Sequence, residues 1–473
     1  MFFYASWKPV YLLLILGSIV VNFTLGRKLA RCQAASRRPW LIFGVCFNMG
    51  LLGYFKYTGF FLDGLNEFGL WLLPVPEITL PLAISFFTFQ QIAYLVDVAR
   101  GDCKEYQFHH YALFVLFFPQ LIAGPIVHHS EMMPQFDRLR PRAQIPTDLA
   151  VGLTLIAIGL FKKVVLADNL GLVADPVFAA AAQGKPLHSL DALIATFAFS
   201  FQIYFDFSGY SDIAIGSARL FGITLPENFR SPYRAASIIE IWRRWHMTLS
   251  RFLKDYLYIA LGGNRRGTAQ RYRNLFLTML LGGLWHGAAW TYVAWGGLHG
   301  LYLCWNHAWR YLIGRLGLRN FFALAAWQPL FIALTFTAWS VALVIFRAEG
   351  FDAGVNILAS GFVDFSSAAP LLLSGVFNDG LAAQMAQLAN LTFTGYGAAS
   401  VLLGAAGLVC WALPSSQSYL AEYQPVLTPD MAPLPATRLV WRPTLAYAAL
   451  SGLALLLALL NIASVSRFIY FQF

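Results

Sequence analysis

Residues 226–301 read PENFRSPYRAASIIEIWRRWHMTLSRFLKDYLYIALGGNRRGTAQRYRNLFLTMLLGGLWHGAAWTYVAWGGLHGL and change from the most basic part of the chain to one of its most apolar parts. Up to Arg273 this stretch carries ten Lys and Arg against three acidic residues, which accounts for seven of the chain's net +10 charges. A histidine lies in each half, His246 among arginines and His286 in the glycine-rich run LLGGLWHGAAW. The pattern favours a reaction site built across a membrane surface.

The composition of the whole chain indicates that lipid is its main solvent. Of its 473 residues 58% are hydrophobic and 12% are charged, whereas soluble domains carry about 25% charged residues. Apolar runs of roughly 17–25 residues recur along the chain, and each is long enough to cross the hydrocarbon core as a helix. We therefore predict an all-α polytopic integral membrane protein, with about ten transmembrane helices plus re-entrant and interfacial helices around a central funnel or tunnel.

The charges of the loops predict how the chain crosses the membrane, because cytoplasmic loops carry an excess of Lys and Arg. By this rule both termini lie on the outer face, and the basic part of residues 226–301 lies inside. Two prolines and a glycine interrupt residues 108–127, so we predict a re-entrant segment covered by protein. Residues 348–396 are predicted to form an outer loop with surface-lying helices. The ten predicted crossings are 8–26, 40–62, 78–96, 149–170, 189–220, 274–290, 291–307, 321–346, 398–413 and 444–464.

We interpret residues 1–473 as a single membrane domain. It comprises N-terminal helices (8–98), a catalytic core (about 108–308) and C-terminal helices (321–464). The first apolar run continues to Leu25 without a small-residue cleavage site, so we expect an anchor and not a cleaved signal.

Scattered cysteines and histidines give no pattern for metal binding. The chain has five scattered cysteines and no CxxC pair, which argues against a disulfide framework or a zinc site. His299, in WGGLHG, repeats the Gly-Gly-x-His pattern of His286 and is the third histidine of interest. No carboxylate or cysteine stands at ligand spacing from these histidines, so we predict no metal.

Two lysines, Lys162 and Lys163, stand inside the predicted crossing 149–170. Charges within a membrane are costly and are usually functional. A long lysine side chain can also reach back to the interface with its charge in water. The sequence leaves both interpretations open.

Residues 238–256 separate into two faces when they are placed on a helix. Isoleucine, leucine, tryptophan and phenylalanine gather on one face, and arginine and lysine on the other. We predict a basic amphipathic helix at the cytoplasmic interface. His246 projects beside Leu253 and Ile239 at the border of the apolar face. It is either a hydrogen-bonding scaffold or a part of the reaction site.

His286 is predicted to lie inside the bilayer. Gly282 and Gly283 stand four and three positions before it. The side chain of a helical residue lies over these two positions of the preceding turn. Glycine at these positions leaves space beside the imidazole for a substrate chain or for a closely packed helix. Burial disfavours the charged form of the ring, so a neutral imidazole could accept a proton at pH 7. A structural role as a polar contact between helices is the alternative.

Acyl transfer from a coenzyme A thioester fits a buried base with a basic cytoplasmic mouth. Phosphates would bind to arginines, the thioester would reach His286, and this base would take a proton from an acceptor hydroxyl. His246 could orient the acceptor or stabilise the oxyanion. We therefore predict His286 and His246 as catalytic residues. The residues predicted to bind the acyl donor or to line the tunnel are Arg230, Arg243, Arg244, Asp255, Tyr256, Asn264, Trp285, Gly282 and Gly283.

Several motifs resemble the membrane-bound O-acyltransferase family, in particular its bacterial branch of alginate O-acetyltransferase-like proteins. The matching pieces are PQLIAGPI (119–126), LFKKVVLAD (160–168), YFDFSGYSDIAIG (204–216), NFRSPYRAASIIEIWRRWHMTLSRFLKDYLYI (228–259), GGNRRG (262–267), GLWHGAAW (283–290) and FIYFQF (468–473). They span most of the chain in order. Relatives in this branch usually carry a further hydrophobic segment before the part that resembles FFYASWKP, which would place the amino terminus inside.

The resemblance implies that His286 is the family's membrane-embedded histidine and His246 its paired polar residue. It also implies a bacterial inner-membrane protein that uses acetyl-CoA as a donor substrate, with no permanently bound cofactor. The acetyl group would pass through the protein to a periplasmic SGNH-type acetyltransferase, which acts with the polysaccharide synthesis machinery on an alginate- or cellulose-like exopolysaccharide. Membrane lipids are expected partners and nucleic acid is not.

Two other classes of function remain open from the residues alone. One is a transporter or flippase of a lipid-linked glycan, and the other is an assembly scaffold for a polysaccharide synthase. A transporter of this kind commonly has two related halves with unwound helices, and no such halves are evident here.

Overall fold

The computed structural model describes residues 4, 8–67, 69, 73–103, 107–122, 124–137, 141–364, 395–427, 437–462 and 469. Within these ranges the chain is helical, apart from turns, loops and one isolated bridge between Pro226 and Leu427. Ten of the described helices have 16 or more residues. They are α1 (Val10–Arg31), α2 (Arg37–Leu52), α3 (Ile84–Arg100), α4 (Ile145–Leu160), α5 (Ser189–Leu220), α6 (Thr268–His286), α7 (Trp290–Arg315), α8 (Gln328–Arg347), α9 (Gly395–Ala412) and α10 (Leu445–Leu460).

These ten helices coincide in order with the ten predicted crossings, and the all-helical membrane fold is confirmed. By length and composition, five of the described helices are long and apolar enough to cross a membrane. They include α1, α5, α8 and α9, and the fifth is the continuous helical stretch Arg142–Ala182 that contains α4. Apolar side chains cover much of the outside of the bundle, as expected for helices that face lipid.

Two of the long helices continue through a wider π-helical turn. α2 passes through Gly53–Tyr57 into Thr58–Glu67, and α4 passes through Phe161–Ala167 into Asp168–Ala182. Such turns change the direction of neighbouring side chains and occur often at functional positions. Shorter helices lie between the long ones. They are Phe108–Leu116, Phe118–Leu121, His129–Phe136, Ile238–Trp242, Met247–Phe252, the π turn Leu253–Tyr258, Arg319–Phe322, Phe351–Phe362 and Ser416–Tyr419, with 3-10 turns at Ala34–Ser36, Arg142–Gln144, Pro232–Arg234, Ala325–Trp327 and Ala421–Tyr423.

The centre of the bundle is α5, whose residues are mostly buried. It packs closely on α4 because glycines meet at the crossing. A Cβ added to Gly159 would lie 2.5 Å from the carbonyl oxygen of Gly209, and one added to Gly152 would lie 2.9 Å from that of Gly216. Small residues of this kind allow two helix backbones to approach within a membrane.

Lys162 and Lys163 form ion pairs with aspartates inside the bundle. The π turn after α4 directs both lysines at α5, where Lys162 Nζ lies 2.7 Å from Asp212 and Lys163 Nζ lies 2.8 Å from Asp206. Lys163 also pairs with Asp168 at 2.6 Å. These ion pairs satisfy the buried charges, so the two lysines connect helices within the bundle.

The segment 108–127 is broken, as its prolines predict. Phe108–Leu116 ends at Phe117, whose ψ of 99° is not helical, and the short helix Phe118–Leu121 follows. Gln120 Nε2 donates a hydrogen bond to the carbonyl oxygen of Phe114, which replaces a bond lost at the break. Tyr111 and Leu121 are buried, as a protein-covered segment requires. Its return to the same side of the membrane stays a prediction.

The predicted outer loop begins with the helix Phe351–Phe362, and residues 365–394 lie outside the described residues. The connection between α9 and α10 packs at the inner end of α5. There Gln417 Nε2 donates to Asp212 at 2.6 Å, and the amide of Leu427 donates to the carbonyl oxygen of Leu225 at 2.9 Å. This connection therefore lies at the end of the bundle that the loop charges assign to the cytoplasm.

Candidate active site

His286 is the last residue of α6, and its side chain lies among aromatic rings. The rings of Trp295 and Phe346 stand edge-on to the imidazole, with centroid distances of 5.1 and 5.4 Å. The residue is 5% exposed. The helix ends here because Gly287 continues in an extended conformation, with φ −165° and ψ 158°. His286 is thus buried inside the bundle, as the sequence predicts.

The hairpin that carries His286 is fixed by close contact between α6 and α7. A Cβ added to Gly283 would lie 2.2 Å from the carbonyl oxygen of Tyr292 and 2.9 Å from the Cα of Gly296. The sequence left two occupants for this space, a substrate chain or a packed helix. The occupant is α7, so Gly283 serves helix packing here and is not the wall of a tunnel.

Gly283→Ala is expected to lower the thermal stability of the protein, because its new methyl group would meet backbone atoms of α7 that cannot move independently. Overpacking of this kind costs about 1–3 kcal/mol. Gly282→Ala is the matched control, since its new methyl group would meet only the end of the Leu253 side chain, at 3.1 Å. Thermal unfolding in detergent measures both variants. Equal midpoints for the two would contradict the packing that we describe.

The prediction of one continuous helix over residues 238–256 is wrong. The structure has a short helix Ile238–Trp242, a turn, the helix Met247–Phe252 and the π turn Leu253–Tyr258. The break occurs at His246, whose backbone is left-handed with φ 41° and ψ 52°. This conformation costs a residue with a side chain about 1–2 kcal/mol. The apolar side of the segment is packed into the bundle, where Trp245 and His246 are buried, while Arg243 and Lys254 are exposed.

Asn228 holds the chain and the ring of His246 in this conformation. Its carbonyl oxygen accepts a hydrogen bond from the amide of Met247 at 3.0 Å. Its side-chain Oδ1 lies 3.1 Å from His246 Nδ1 and accepts from Thr248 Oγ1 at 2.9 Å. Its Nδ2 donates to Ser211 Oγ on α5 at 3.0 Å. The histidine is therefore oriented by a buried amide that is itself anchored on the central helix.

The fold brings the three predicted histidines together. His246, Lys56 and His299 all lie within electrostatic range of His286, so four separate parts of the chain meet here. His299 is fully buried, and the ring of Trp295 lies between His299 and His286 with centroid distances of 4.7 and 5.1 Å. A pair of imidazoles inside an aromatic enclosure can supply a base and a second polar group to one reaction.

Comparisons with known proteins identify the family of this chain. The sequence profile of the membrane-bound O-acyltransferase family, MBOAT, matches residues 99–346, which include both predicted catalytic histidines. The chain belongs to this family. It is therefore an acyltransferase of a membrane-bound type, and the resemblance drawn from its motifs is confirmed.

Three relatives illustrate the range of the family. The chain is 45% identical to a peptidoglycan O-acetyltransferase of Helicobacter pylori, over 76% of this chain and 71% of the relative. It is 45% identical to a probable alginate O-acetylase AlgI of Pseudomonas aeruginosa, over 73% of this chain and 65% of the relative. It is 31% identical to a teichoic acid D-alanyltransferase of Streptococcus thermophilus, over 48% of this chain and 57% of the relative.

Most of the arginines predicted to bind the donor of this acyltransferase are already paired. Arg230 Nε donates to Glu227 at 2.8 Å, and Arg244 donates to Glu240 at 2.5 Å. Arg243 is exposed. Asn264 is also exposed, in the loop that precedes α6. A phosphate site on Arg230 or Arg244 would have to compete with these carboxylates, which weakens the sequence-based assignment of the two residues.

Asp255 and Tyr256 line a cavity of about 380 Å³ at the inner end of the bundle, together with Asp97, Arg100 and His128. The hydroxyl of Tyr256 lies 2.8 Å from Asp97 and 3.1 Å from His128 Nδ1. A second, larger cavity of about 950 Å³ lies beside it, and Ser130 lines both. Neither of these two cavities is lined by His246 or His286.

The two histidines at the smaller cavity, His128 and His129, differ in their protonation. Burial lowers the pKa of His129, but hydrogen bonds to Asp97 and Cys103 raise it more, and the result is about 9. Burial and the nearby Arg251 lower the pKa of His128. At neutral pH the cavity therefore holds a protonated histidine paired with Asp97 and a second histidine that is neutral.

A continuous row of aromatic rings connects this cavity to His286. Tyr256 contacts Phe252 with centroids 4.9 Å apart, Phe252 stacks on Phe89 at 4.1 Å, and Phe89 stacks on Trp285 at 4.9 Å. Trp285 precedes His286. The sequence predicts a passage from the basic face to His286, and in this conformation aromatic side chains fill the line between them. Trp285 thus lies where the prediction puts it, but as part of a packed wall.

Sequence reasoning missed three residues of this site. Asn228 lies in the motif NFRSPYR, and its 18-residue separation from His246 gives no periodic signal. Asp97 and His128 come from other parts of the chain and meet Tyr256 only in the folded bundle. The family motifs are the signal that could have found Asn228, since it opens the longest of them.

Proposed function

We propose that this acyltransferase takes an acetyl group from acetyl-CoA at the cytoplasmic face and passes it across the bacterial inner membrane. The acetyl group then reaches hydroxyl groups of an exopolysaccharide through a periplasmic SGNH-type acetyltransferase. The polymer is of the alginate or cellulose type.

The choice of acetyl rests on the names of the relatives. Those that are 40–45% identical are described as O-acetyltransferases or O-acetylases, whereas the D-alanyltransferases are 28–31% identical. By their names, the O-acetyltransferase acts on peptidoglycan and the O-acetylases act on alginate. Membership of the family therefore does not determine which polymer is acetylated. An alginate- or cellulose-like acceptor is our proposal within that range.

The observation that carries the proposal is the buried imidazole of His286 at the end of α6, with the buried His246 of the preceding segment in its vicinity. In the proposed step the oxygen of an acceptor hydroxyl, on the polymer or on the partner, attacks the carbonyl carbon of the thioester. His286 takes the hydroxyl proton, the C–S bond breaks, and the proton finally passes to the departing thiolate of coenzyme A. His246, held by Asn228, orients the acceptor or stabilises the oxyanion.

The proposed route of the donor follows the row of rings. Coenzyme A would bind at the inner end of the bundle, near Arg100 and Tyr256, and its pantetheine arm would extend along Phe252 and Phe89 to Trp285. Flat apolar rings suit a narrow alkyl-amide chain, and the row ends at His286. The side chains of the row must move apart for the thioester to reach the imidazole.

Membranes that contain the protein are expected to consume [¹⁴C]acetyl-CoA and to transfer the label to the periplasmic partner or the polymer. Acetyl-CoA without the protein, and a longer acyl-CoA with it, are the controls. Mass spectrometry of exopolysaccharide from a deletion strain checks the acceptor, which should lose its O-acetyl groups. Absence of thioester consumption in membranes that also contain the partner, or an equal preference for a long acyl chain, would contradict the proposal.

A further inference from the structure

Two consecutive residues of α2's π turn contact the end of the helix that carries His286. Lys56 Nζ donates hydrogen bonds to the carbonyl oxygens of Trp285 at 2.5 Å and of His286 at 3.0 Å. The hydroxyl of Tyr57 donates to the carbonyl oxygen of Leu284 at 2.8 Å. Three successive carbonyls of the last turn of α6 therefore have their partners on a helix more than 220 positions earlier in the chain.

These contacts replace the usual ways in which a helix ends. The last four carbonyl groups of an α-helix have no partner within the helix, and in an apolar interior each unpaired group costs free energy. Helices often solve this with a left-handed residue after the last turn, but Gly287 is extended. Lys56 supplies hydrogen bonds to two of these carbonyl groups, and Tyr57 supplies one to a third.

The surroundings of Lys56 favour a special role. Among the described residues Lys56 forms no ion pair with a carboxylate; its Nζ also donates to Ser85 Oγ at 3.4 Å and lies 5.7 Å from the centre of the Trp285 ring. Lys162 and Lys163, in contrast, are paired with aspartates. A lysine within a predicted crossing that bonds two backbone carbonyls and a serine hydroxyl, and no carboxylate among the described residues, is costly to keep. The π turn brings Lys56 and Tyr57 to the same helix end, which an undistorted helix would do less well because consecutive side chains diverge.

We propose that Lys56 is a positioning residue for acyl transfer, which caps the end of α6 and so fixes the His286 imidazole against Trp295 and Phe346. Tyr57 supports this cap by its hydrogen bond to the carbonyl oxygen of Leu284, one residue before Trp285. Lys56 acts through His286 and does not itself contact the reacting atoms. This inference rests on the proposed function only in that the reaction uses His286 as its base.

The test compares Lys56→Met with the wild-type protein in proteoliposomes. Methionine keeps the length of the side chain and removes both hydrogen bonds. Because a displacement of about 1 Å can cost 10²-fold in rate, kcat is expected to fall about 100-fold while KM for acetyl-CoA stays within a few-fold. Lys56→Arg can donate to both carbonyls and is expected to recover most of the loss. Tyr57→Phe is expected to lower kcat less than Lys56→Met.

Asn48→Leu is the matched control for a merely structural effect. Asn48 lies two turns earlier on α2, where its Nδ2 donates to Asn22 Oδ1 on α1 at 2.6 Å. Its replacement is expected to lower the thermal midpoint without lowering kcat. A Lys56→Met protein with the kcat of the wild type, or with a loss that Lys56→Arg does not reverse, would overturn the inference. If Lys56→Met gives no monodisperse protein, Lys56→Leu, which also lacks a donor, answers the same question, and an unchanged kcat there overturns the inference.

The outcomes separate this inference from the proposed function. A wild-type protein that consumes no acetyl-CoA refutes the proposed donor. In that case the same variants are compared by the O-acetyl content of the polymer in cells, which does not depend on the identity of the donor. Equal O-acetyl content with wild-type and Lys56→Met protein at equal expression overturns the role of Lys56, whereas a lower content that Lys56→Arg restores supports it.

Discussion

His286→Ala is expected to lower acyl transfer about 1,000-fold or more, because removal of a positioned general base typically costs 10²–10⁴-fold. The rings of Trp285, Trp295 and Phe346, which stand against the imidazole, cannot act as a general base in its place. Both consumption of the thioester and acetylation of the polymer should stop together. The measurement is single-turnover transfer of labelled acetyl in proteoliposomes, with the thermal midpoint of the variant as a check on folding.

His109→Ala is the matched control for His286→Ala, because His109 is an exposed histidine outside the site. It is expected to keep the wild-type rate. Undiminished transfer by a folded His286→Ala protein would remove this residue from the mechanism. A transporter or flippase would behave differently again, since movement of a lipid-linked glycan should survive the substitution and no thioester should be consumed.

Asn228→Leu is expected to lower kcat about 100-fold, because it removes the amide that orients the His246 ring. Leucine has a similar volume, so the loss reflects hydrogen bonds more than packing. The change also leaves Thr248 and Ser211 without their Asn228 contacts, and a buried polar group without a partner costs about 1–3 kcal/mol. Both kcat and the thermal midpoint should therefore fall.

A double-mutant cycle separates these two effects. If Asn228 acts through His246, the Asn228→Leu, His246→Ala double variant should be no slower than His246→Ala alone, since residues that act as a unit are not additive. Ser211→Ala is the control, because it removes the far hydrogen bond of Asn228 and leaves the contact with His246. It should stay within a few-fold of the wild-type rate. Rate losses that add in full would show that Asn228 does not act through His246.

Hydrophobic length and loop charge were sufficient to predict the long helices. Each of the ten predicted crossings overlaps one of the ten long described helices, because a single apolar segment satisfies its own backbone groups in lipid by forming a helix. The break near Pro119 was also predictable, since proline cannot continue a helix interior. The burial of His286 followed from its place in a long apolar run.

The course of residues 238–256 could not be predicted from periodicity. The sequence does separate into an apolar and a basic face, but a helix over the whole stretch is interrupted at His246. The left-handed backbone there is stabilised by Asn228, which lies 18 positions earlier and outside the periodic pattern. The partners of Lys162 and Lys163 were equally hidden, since they depend on how α4 meets α5.

For the space beside Gly282 and Gly283 the sequence left two occupants open, a substrate chain or a packed helix, and could not decide between them. Gly283 meets Gly296 of α7, a contact that depends on the register of the hairpin. Lys56 was overlooked because a lone lysine near the end of an apolar run resembles an interfacial anchor. Its role becomes visible only when α2 is seen beside the end of α6.

The central claim is that the acyl group of the donor reaches the buried imidazole of His286 from the cytoplasmic face. An electron cryo-microscopy structure with a non-hydrolysable thioether analogue of acetyl-CoA tests it most directly. We predict that the nucleotide lies near Arg100 and Tyr256, that the rings of Phe252, Phe89 and Trp285 have moved apart, and that the acyl carbon lies within about 4 Å of a His286 nitrogen, close to the distance of reacting atoms. An analogue bound with its acyl group away from His286, and with the row of rings unchanged, would contradict the claim.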